Sequence, residues 1–289
     1  MEQRIDIPGD WRRAASLILE RGLCKILVLG ASDRGKSTFC SYLAWHLLRA
    51  GLQPALIDAD VGQKDLGPPA TITLGYPRLN QALQDLRPAA LYFVGAVSPL
   101  AHLLPMVVGT RQLLEQVDAP FVIINTSGLI TGVGEVLKSY KIDSVRPDVL
   151  VALAKDQELN PILAAHRHFR ILRLAPSPKA QSKPMEVRRQ RRLEAFRRYF
   201  SRAQEYSLAL DELIFQRLPV QGFENLAQLL TPNRLCALAD ERQTVLGLAL
   251  VRSCDLKRRS LSVWSPVTGK KVRIVQLGDI HLELKGPER

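Results

Sequence analysis

The chain has 289 residues, 46% hydrophobic and 24% charged, with 18 Gly, 18 Pro and four Cys that include no Cys-x-x-Cys pair. This is a globular composition that excludes wholesale disorder, collagen and coiled coil. The sparse cysteines argue against a disulfide scaffold or a zinc site and for a reducing compartment. The net charge of +12 is uneven: residues 1–150 hold 15 basic and 14 acidic side chains, and residues 151–289 hold 25 and 14. A near-neutral half is thus joined to a half of +11, which points to an anionic polymer as partner.

Taken in chain order, the first residues are polar and carry no secretory apolar run, so a cytoplasmic location is expected. Asp10 can cap a short amphipathic helix over residues 11–20. Residues 24–29 (CKILVL) read as a buried strand, followed by a glycine-containing loop and a helix over 36–50. Apolar runs recur at 55–57, 90–94, 121–124, 149–154 and 169–174, with helical patterns between them. Strands alternating with helices predict an α/β fold, with a parallel sheet covered on both faces. Residues 87–111 have no charge between their two terminal arginines, but three prolines and Gly95 break the stretch. It reads as strand, loop and helix start rather than as a membrane span, which needs about 20 apolar residues.

Residues 175–184 (APSPKAQSKP) read as a loop, and residues 185–206 as an Arg-rich helix. Short strand-like runs follow at 234–238, 245–251, 260–264, 272–276 and 280–284. These predict two domains: residues 1–206, ending in the Arg-rich helix, and a β-rich module over 207–289. No internal repeat or low-complexity tract is visible.

Gly30-Ala31-Ser32-Asp33-Arg34-Gly35-Lys36-Ser37 fits G-x-x-x-x-G-K-[ST] in full, after a predicted strand and at the start of a predicted helix. Glycines let backbone N–H groups turn inward around phosphate oxygens, and the helix N-terminus adds partial positive charge. Lys36 is placed to reach the β- and γ-phosphates, and Ser37 to ligate Mg²⁺. A nucleoside triphosphate is the expected ligand.

The second strand runs into Asp58-Ala59-Asp60-Val61-Gly62-Gln63. Two carboxylates two residues apart on a strand face the same way, at the sheet edge where α/β proteins bind ligands. They are placed to act on Mg²⁺ and as a general base; the alternative is that Asp58 only caps the loop. Seven arginines fall within residues 188–202: Arg188, Arg189, Arg191, Arg192, Arg197, Arg198 and Arg202. Arg188 and Arg192 share a helix face, and Leu193, Ala195, Phe196 and Tyr199 are expected to pack. The helix reads either as a solvated amphipathic surface or as a mobile lid that brings cations to a phosphoryl group. His166 and His168 read as surface histidines without metal partners, and Cys40 and Trp264 as core.

Together these residues resemble the polynucleotide 5′-hydroxyl kinase family, which includes the RNA kinase subunit of the eukaryotic pre-mRNA cleavage factor, pre-rRNA-processing kinases and archaeal relatives. Ser32-Asp33 before Gly35-Lys36-Ser37-Thr38 resembles its T-D-x-G-K-S-T loop. Residues 58–63 match its D-x-D-x-G-Q signature, and Leu66-Gly67-Pro68-Pro69 follows. Phe93-Val94-Gly95, Ser98-Pro99, the "clasp" Asn125-Thr126-Ser127-Gly128, the Arg helix ending Phe196-Arg197-Arg198-Tyr199-Phe200, and the Leu246-Gly247 and Leu277-Gly278 pairs are also similar. The resemblance runs from about residue 22 to 284.

That resemblance implies a P-loop kinase fold. Gly30, Ala31, Ser32, Asp33, Arg34, Gly35, Lys36, Ser37 and Thr38 would hold ATP or GTP. It implies Lys36 on the phosphates, Ser37 and Asp58 at Mg²⁺ or its waters, and Asp60 as the base for a 5′-hydroxyl. Gln63, Thr126, Ser127 and Gly128 would hold the 5′-terminal nucleotide of RNA or DNA, and Arg188 and Arg192 would be lid arginines on the transferring phosphoryl. Leu129 stands where the family clasp usually has Trp, so base stacking there is absent or supplied elsewhere. Fewer than 30 residues precede the loop, too few for the N-terminal β-domain of eukaryotic members, so a minimal prokaryotic-type kinase is expected. Two rivals stand beside this reading. A MinD-like regulatory or metallochaperone NTPase would usually begin its loop with Lys-Gly-Gly, where this chain has Ala31-Ser32. An ATP-binding scaffold of an RNA-processing complex would not need its catalytic residues intact.

Overall fold

Residues 25–29 place four apolar side chains behind one lysine, a run too short for a helix and suited to a strand buried on both faces. In the computed structural model, which describes residues 6–216 and 226–284, they form β1 (Lys25–Leu29), an inner strand of a seven-stranded sheet. Its other strands are β2 (Pro54–Ala59), β3 (Thr71–Gly75), β4 (Ala90–Phe93), β5 (Phe121–Thr126), β6 (Val149–Leu153) and β7 (Ile171–Leu174), in the order β4-β3-β2-β5-β1-β6-β7. β1 pairs in parallel with β5 and β6. The functional loops therefore leave neighbouring strands at one edge.

Helices cover both faces. On one side, α1 (Gly9–Glu20) and α2 (Lys36–Arg49) bury Trp11, Ile18, Phe39, Leu43 and Leu47 against Ile26 and Val28. On the other, α3 (Leu103–Leu114) and α4 (Val133–Val145) bury Met106, Leu137 and Ile142 against Leu27, Ile57 and Ile124. Cys40 lies in the first of these cores, as expected. Among the described residues no helix is long and apolar enough to cross a membrane.

One strand corrects the expected all-parallel sheet. β3 runs antiparallel to both β2 and β4. The connection from β2 carries no helix, and a helix-free return favours an antiparallel partner. β3 (TITLG) has no apolar run to mark it: Thr71 Oγ1 donates to Pro68 O at 2.7 Å and lies 3.1 Å from Thr73 Oγ1.

After the short α5 (Asn160–Ala165) and β7, the Arg-rich helix α6 spans Met185–Phe200 and stops short of the expected residue 206. Tyr206 and Leu208 instead alternate on β8 (Gln204–Ala209), the edge of a second sheet. With β9 (Ile214–Gln216), β10 (Arg234–Ala239), β11 (Val245–Asp255), β12 (Ser260–Ser265) and β13 (Ile274–His281), its order is β8-β12-β11-β10-β13-β9. A one-turn helix, α7 (Leu226–Leu229), precedes β10. The two strands expected over 272–284 are one, because Gly278 continues the strand rather than turning it. It lacks a side chain because the first sheet lies against it: a Cβ there would lie 2.9 Å from both Phe93 Cζ and Gly95 O.

The base of α6 joins the two sheets. Phe196 and Phe200 pack with Phe93, Leu235 and Leu248, and Phe200 stacks on Trp264 with centroids 5.3 Å apart. Tyr199 Oη accepts the Leu248 N–H at 2.7 Å. His166 corrects another expectation: it is buried, with Nδ1 2.8 Å from Ile162 O, while His168 is exposed. The helix α5 turns its carbonyl onto the first histidine only. No metal-binding group of His, Cys, Asp or Glu occurs among the described residues.

Candidate phosphoryl-transfer site

The loop between β1 and α2 is shaped by its neighbours. A Cβ at Gly30 would overlap the Leu153 carbonyl. Gly35 has φ 89°, a left-handed conformation that glycine adopts without strain, and the Trp11 ring would lie 2.9 Å from a Cβ there. Lys36 is the first residue of α2; it is buried, and its Nζ donates to Ala31 O at 2.8 Å across the loop. Burial lowers its pKa, while the Asp60 carboxylate opposes that shift. Arg34 turns outward into a bidentate pair with Glu158, at 2.7 and 2.8 Å. Ser37 and Thr38 face the cleft.

Asp58 is buried at the end of β2 and is surrounded by donors. Its Oδ1 accepts from Asn125 Nδ2 at 3.0 Å and Asp60 N at 3.2 Å; its Oδ2 accepts from Asp65 N and Leu66 N. Lys64 Nζ lies 3.5 Å from Asp58 Oδ2 and donates to Asp58 O at 2.6 Å. Asp58 thus organises the acidic loop. Asp60 lies just beyond the strand, and its Oδ1 accepts the N–H groups of Gly62 and Gln63, both at 3.0 Å. That turn orients the carboxylate into the cleft, where Gln63 also lies.

Asn125 bridges the two motifs, donating to Asp58 Oδ1 and to Ser37 Oγ at 3.3 Å. Its own Oδ1 is buried with no hydrogen-bond partner among the described residues. Asp65 lines the same cleft although the residue as a whole is exposed, and lost solvation there, with Asp58 beside it, raises its pKa.

The Arg-rich helix closes the cleft. Arg188, Arg191 and Arg192 all line it. Arg188 Nη2 lies 2.5 Å from Asp33 Oδ2, which also accepts the Lys183 N–H at 3.1 Å. Arg189, Arg197 and Arg198 are exposed. One helix therefore carries both cleft and solvent arginines.

The clasp residues behave differently from one another. Thr126 is buried, and its hydroxyl donates to Val28 O at 2.8 Å, so that side chain serves the sheet. Ser127 is buried against α4, where Lys138 Nζ donates to its carbonyl at 2.6 Å. Gly128 touches the phosphate loop: a Cβ would lie 2.5 Å from Ser32 N. The structure thus brings Lys36, Ser37, Asp60, Gln63, Arg188 and Arg192 to one cleft. Lys64, Asp65, Lys183 and Arg191 join them unforeseen. Lys64 and Asp65 directly follow the D-x-D-x-G-Q run, which was the available signal.

The sequence model of the mRNA cleavage and polyadenylation factor CLP1 P-loop family matches residues 30–202. The chain belongs to this family. It is 29% identical to the polyribonucleotide 5′-hydroxyl-kinase MJ1315 of Methanocaldococcus jannaschii, over 98% of this chain and 94% of that one. It is 40% identical to the polyribonucleotide 5′-hydroxyl-kinase PF0112 of Pyrococcus furiosus, over 72% of this chain but 60% of that one. The solved structure of a Clp1p–Pcf11p complex shares the CLP1 fold at a TM-score of 0.68 and 14% identity, covering 94% of this chain and 78% of that one. The match spans the phosphate loop, the acidic loop, the clasp and the Arg-rich helix.

Proposed function

We propose that the protein transfers the γ-phosphate of ATP or GTP to the 5′-hydroxyl end of RNA, with DNA ends as a second substrate class. One observation carries this reading: a phosphate loop, an oriented carboxylate and helix-borne arginines line one cleft. Family membership and relatives named as polyribonucleotide 5′-hydroxyl-kinases support it over a regulatory NTPase.

Phosphoryl transfer through a loose transition state asks the protein for position and charge rather than covalent chemistry. The loop from Gly30 to Thr38 would cradle the phosphates, with Lys36 on the outer pair. Arg188 and Arg192 enter from the other side and would neutralise charge on the transferring group. Asp60 has one oxygen held by Gly62 and Gln63, which fixes its other oxygen to accept the proton of the attacking 5′-hydroxyl. Gln63, with Ser127 and Gly128 of the clasp, would hold the terminal nucleotide, while the Thr126 hydroxyl stays committed to the sheet.

The oxygen-rich corner at Ser37, Asp58 and Asp65 suits Mg²⁺, and the unpartnered Asn125 Oδ1 fits a metal-bound water. When bound there, Mg²⁺ would neutralise phosphate charge. Ser37 and Asp65 would hold the ion, with Asp58 positioning them through Asn125 and the Asp65 N–H.

The test is ATP turnover with and without matched oligonucleotides. Turnover that needs a 5′-hydroxyl end, and stops when that end is already phosphorylated, supports the kinase. Phosphate release without an oligonucleotide supports a regulatory NTPase, and bound ATP that never turns over supports a scaffold; either overturns it.

A further inference from the structure

Helix α4 carries two lysines on its apolar face. Lys138 and Lys141 are 0% and 1% exposed, among Leu137, Ile142 and Val145. Residues three apart on a helix lie one above the other, so both amines emerge on the same side. Burying a cation without partners is costly. Lys141 Nζ has no hydrogen-bond partner among the described residues. Lys138 Nζ has two, the carbonyl oxygen of Ser127 at 2.6 Å and its hydroxyl at 3.2 Å.

Both contacts fall on one residue, so the buried amine is tied to the clasp backbone and side chain together. Burial first, and the charge of neighbouring Lys141 next, lower the Lys138 pKa. With the Ser127 hydroxyl accepting from Lys138 Nζ, its own hydrogen is free for another acceptor. The tethered carbonyl also sets the next residue: Gly128 lies against the backbone of Ser32 in the phosphate loop, and Ser32 lines the cleft.

We propose that Lys138 is the positioning residue of the clasp: it bridges the Ser127 carbonyl and hydroxyl, seats Gly128 on the phosphate loop, and leaves the Ser127 hydroxyl as a donor to an acceptor oxygen of the 5′-terminal nucleotide. This rests on the reading that the clasp touches that nucleotide. A lysine on a helix behind the site would then govern how the polynucleotide end binds, without touching it.

Steady-state kinetics of the full chain with a 5′-hydroxyl RNA oligonucleotide test it, using Lys138→Met, Ser127→Ala and the double variant. Methionine has similar length and keeps the apolar packing. Each single variant is expected to raise the oligonucleotide KM about tenfold, with the ATP KM unchanged and no further rise in the double variant. If Ser127→Ala raises that KM and Lys138→Met does not, or if the effects add, the proposal falls and the clasp reading stands. If neither changes it, the clasp reading falls too. A second measurement needs no variant: NMR of ¹³C-labelled lysines in the wild-type protein. The Lys138 signal is expected to move on adding the oligonucleotide. A signal indifferent to RNA overturns the proposal.

Discussion

Arg188 on the lid helix and Asp33 in the phosphate loop form an ion pair of 2.5 Å, and the same Asp33 oxygen accepts the Lys183 N–H just before that helix. The lid is thus tied to the loop it covers. Arg188→Ala should lower kcat by roughly two to three orders of magnitude, as expected for loss of a transition-state arginine. Asp33→Asn keeps the guanidinium but weakens the tether, so kcat should fall less while limited proteolysis of residues 175–184 accelerates. An Arg188→Ala enzyme with wild-type kcat would reduce the pair to a structural contact.

The two acidic-loop carboxylates are held differently, Asp58 enclosed by donors and Asp60 turned toward the cleft. Asp60→Asn should lower kcat by roughly 10²–10⁴ with nucleotide affinity retained, the usual range for a general base. Asp58→Asn should act on folding as well, because it leaves Lys64 buried beside a neutral group. Breaking a buried pair costs about 3–5 kcal/mol. Urea unfolding of the two variants separates them: Asp60→Asn near wild type, Asp58→Asn with a clearly lower midpoint.

Lys141 makes stability depend on pH. Burial pushes its pKa from the ordinary 10.5 down to about 7, with Asp60 and Asp58 opposing and Lys64 assisting. Between about pH 7 and 10.5 the unfolded chain therefore binds a proton here that the folded chain does not. Stability rises with pH across that window, and the cost of burial is complete below it. Lys141→Met should be more stable than wild type by a few kcal/mol near pH 7, because each pH step between the folded and unfolded pKa values is worth about 1.4 kcal/mol. Urea midpoints should converge as pH approaches 10; parallel curves for the two proteins would contradict the assignment.

Arg197 and Arg198 are exposed on the lid helix, away from the cleft-lining arginines. In a half of net charge +11 they should contribute to polynucleotide binding through phosphate neutralisation. Replacing both with Gln should raise the oligonucleotide Kd and reduce the slope of log Kd against log salt by about one to two. An unchanged slope would place the polymer elsewhere.

How much of this was legible follows from how local each signal is. The phosphate loop is encoded within eight residues between a strand and a helix, and its geometry holds in the fold. Asp58 and Asp60 were readable from their spacing, and the family resemblance implied different roles for them; what no local pattern shows is that Asp58 is enclosed by donors that arrive from Lys64, Asp65, Leu66 and Asn125. β3 was hidden because Thr71 and Thr73 replace an apolar run, and its place is set by β2 and β4. The Arg188–Asp33 pair joins residues 155 apart in the chain, beyond any local pattern. No local pattern marks Lys138 and Lys141; only the packing of α4 shows that they are buried.

The most direct test of the account is transfer of labelled γ-phosphate from ATP to a 5′-hydroxyl RNA oligonucleotide by the wild-type protein, Lys36→Ala and Asp60→Asn. Label should appear at the RNA 5′ end with the wild type and fall to background or near it in both variants. Wild-type protein that binds ATP and RNA yet leaves the RNA unlabelled, or variants that label it as well as the wild type, would contradict the account.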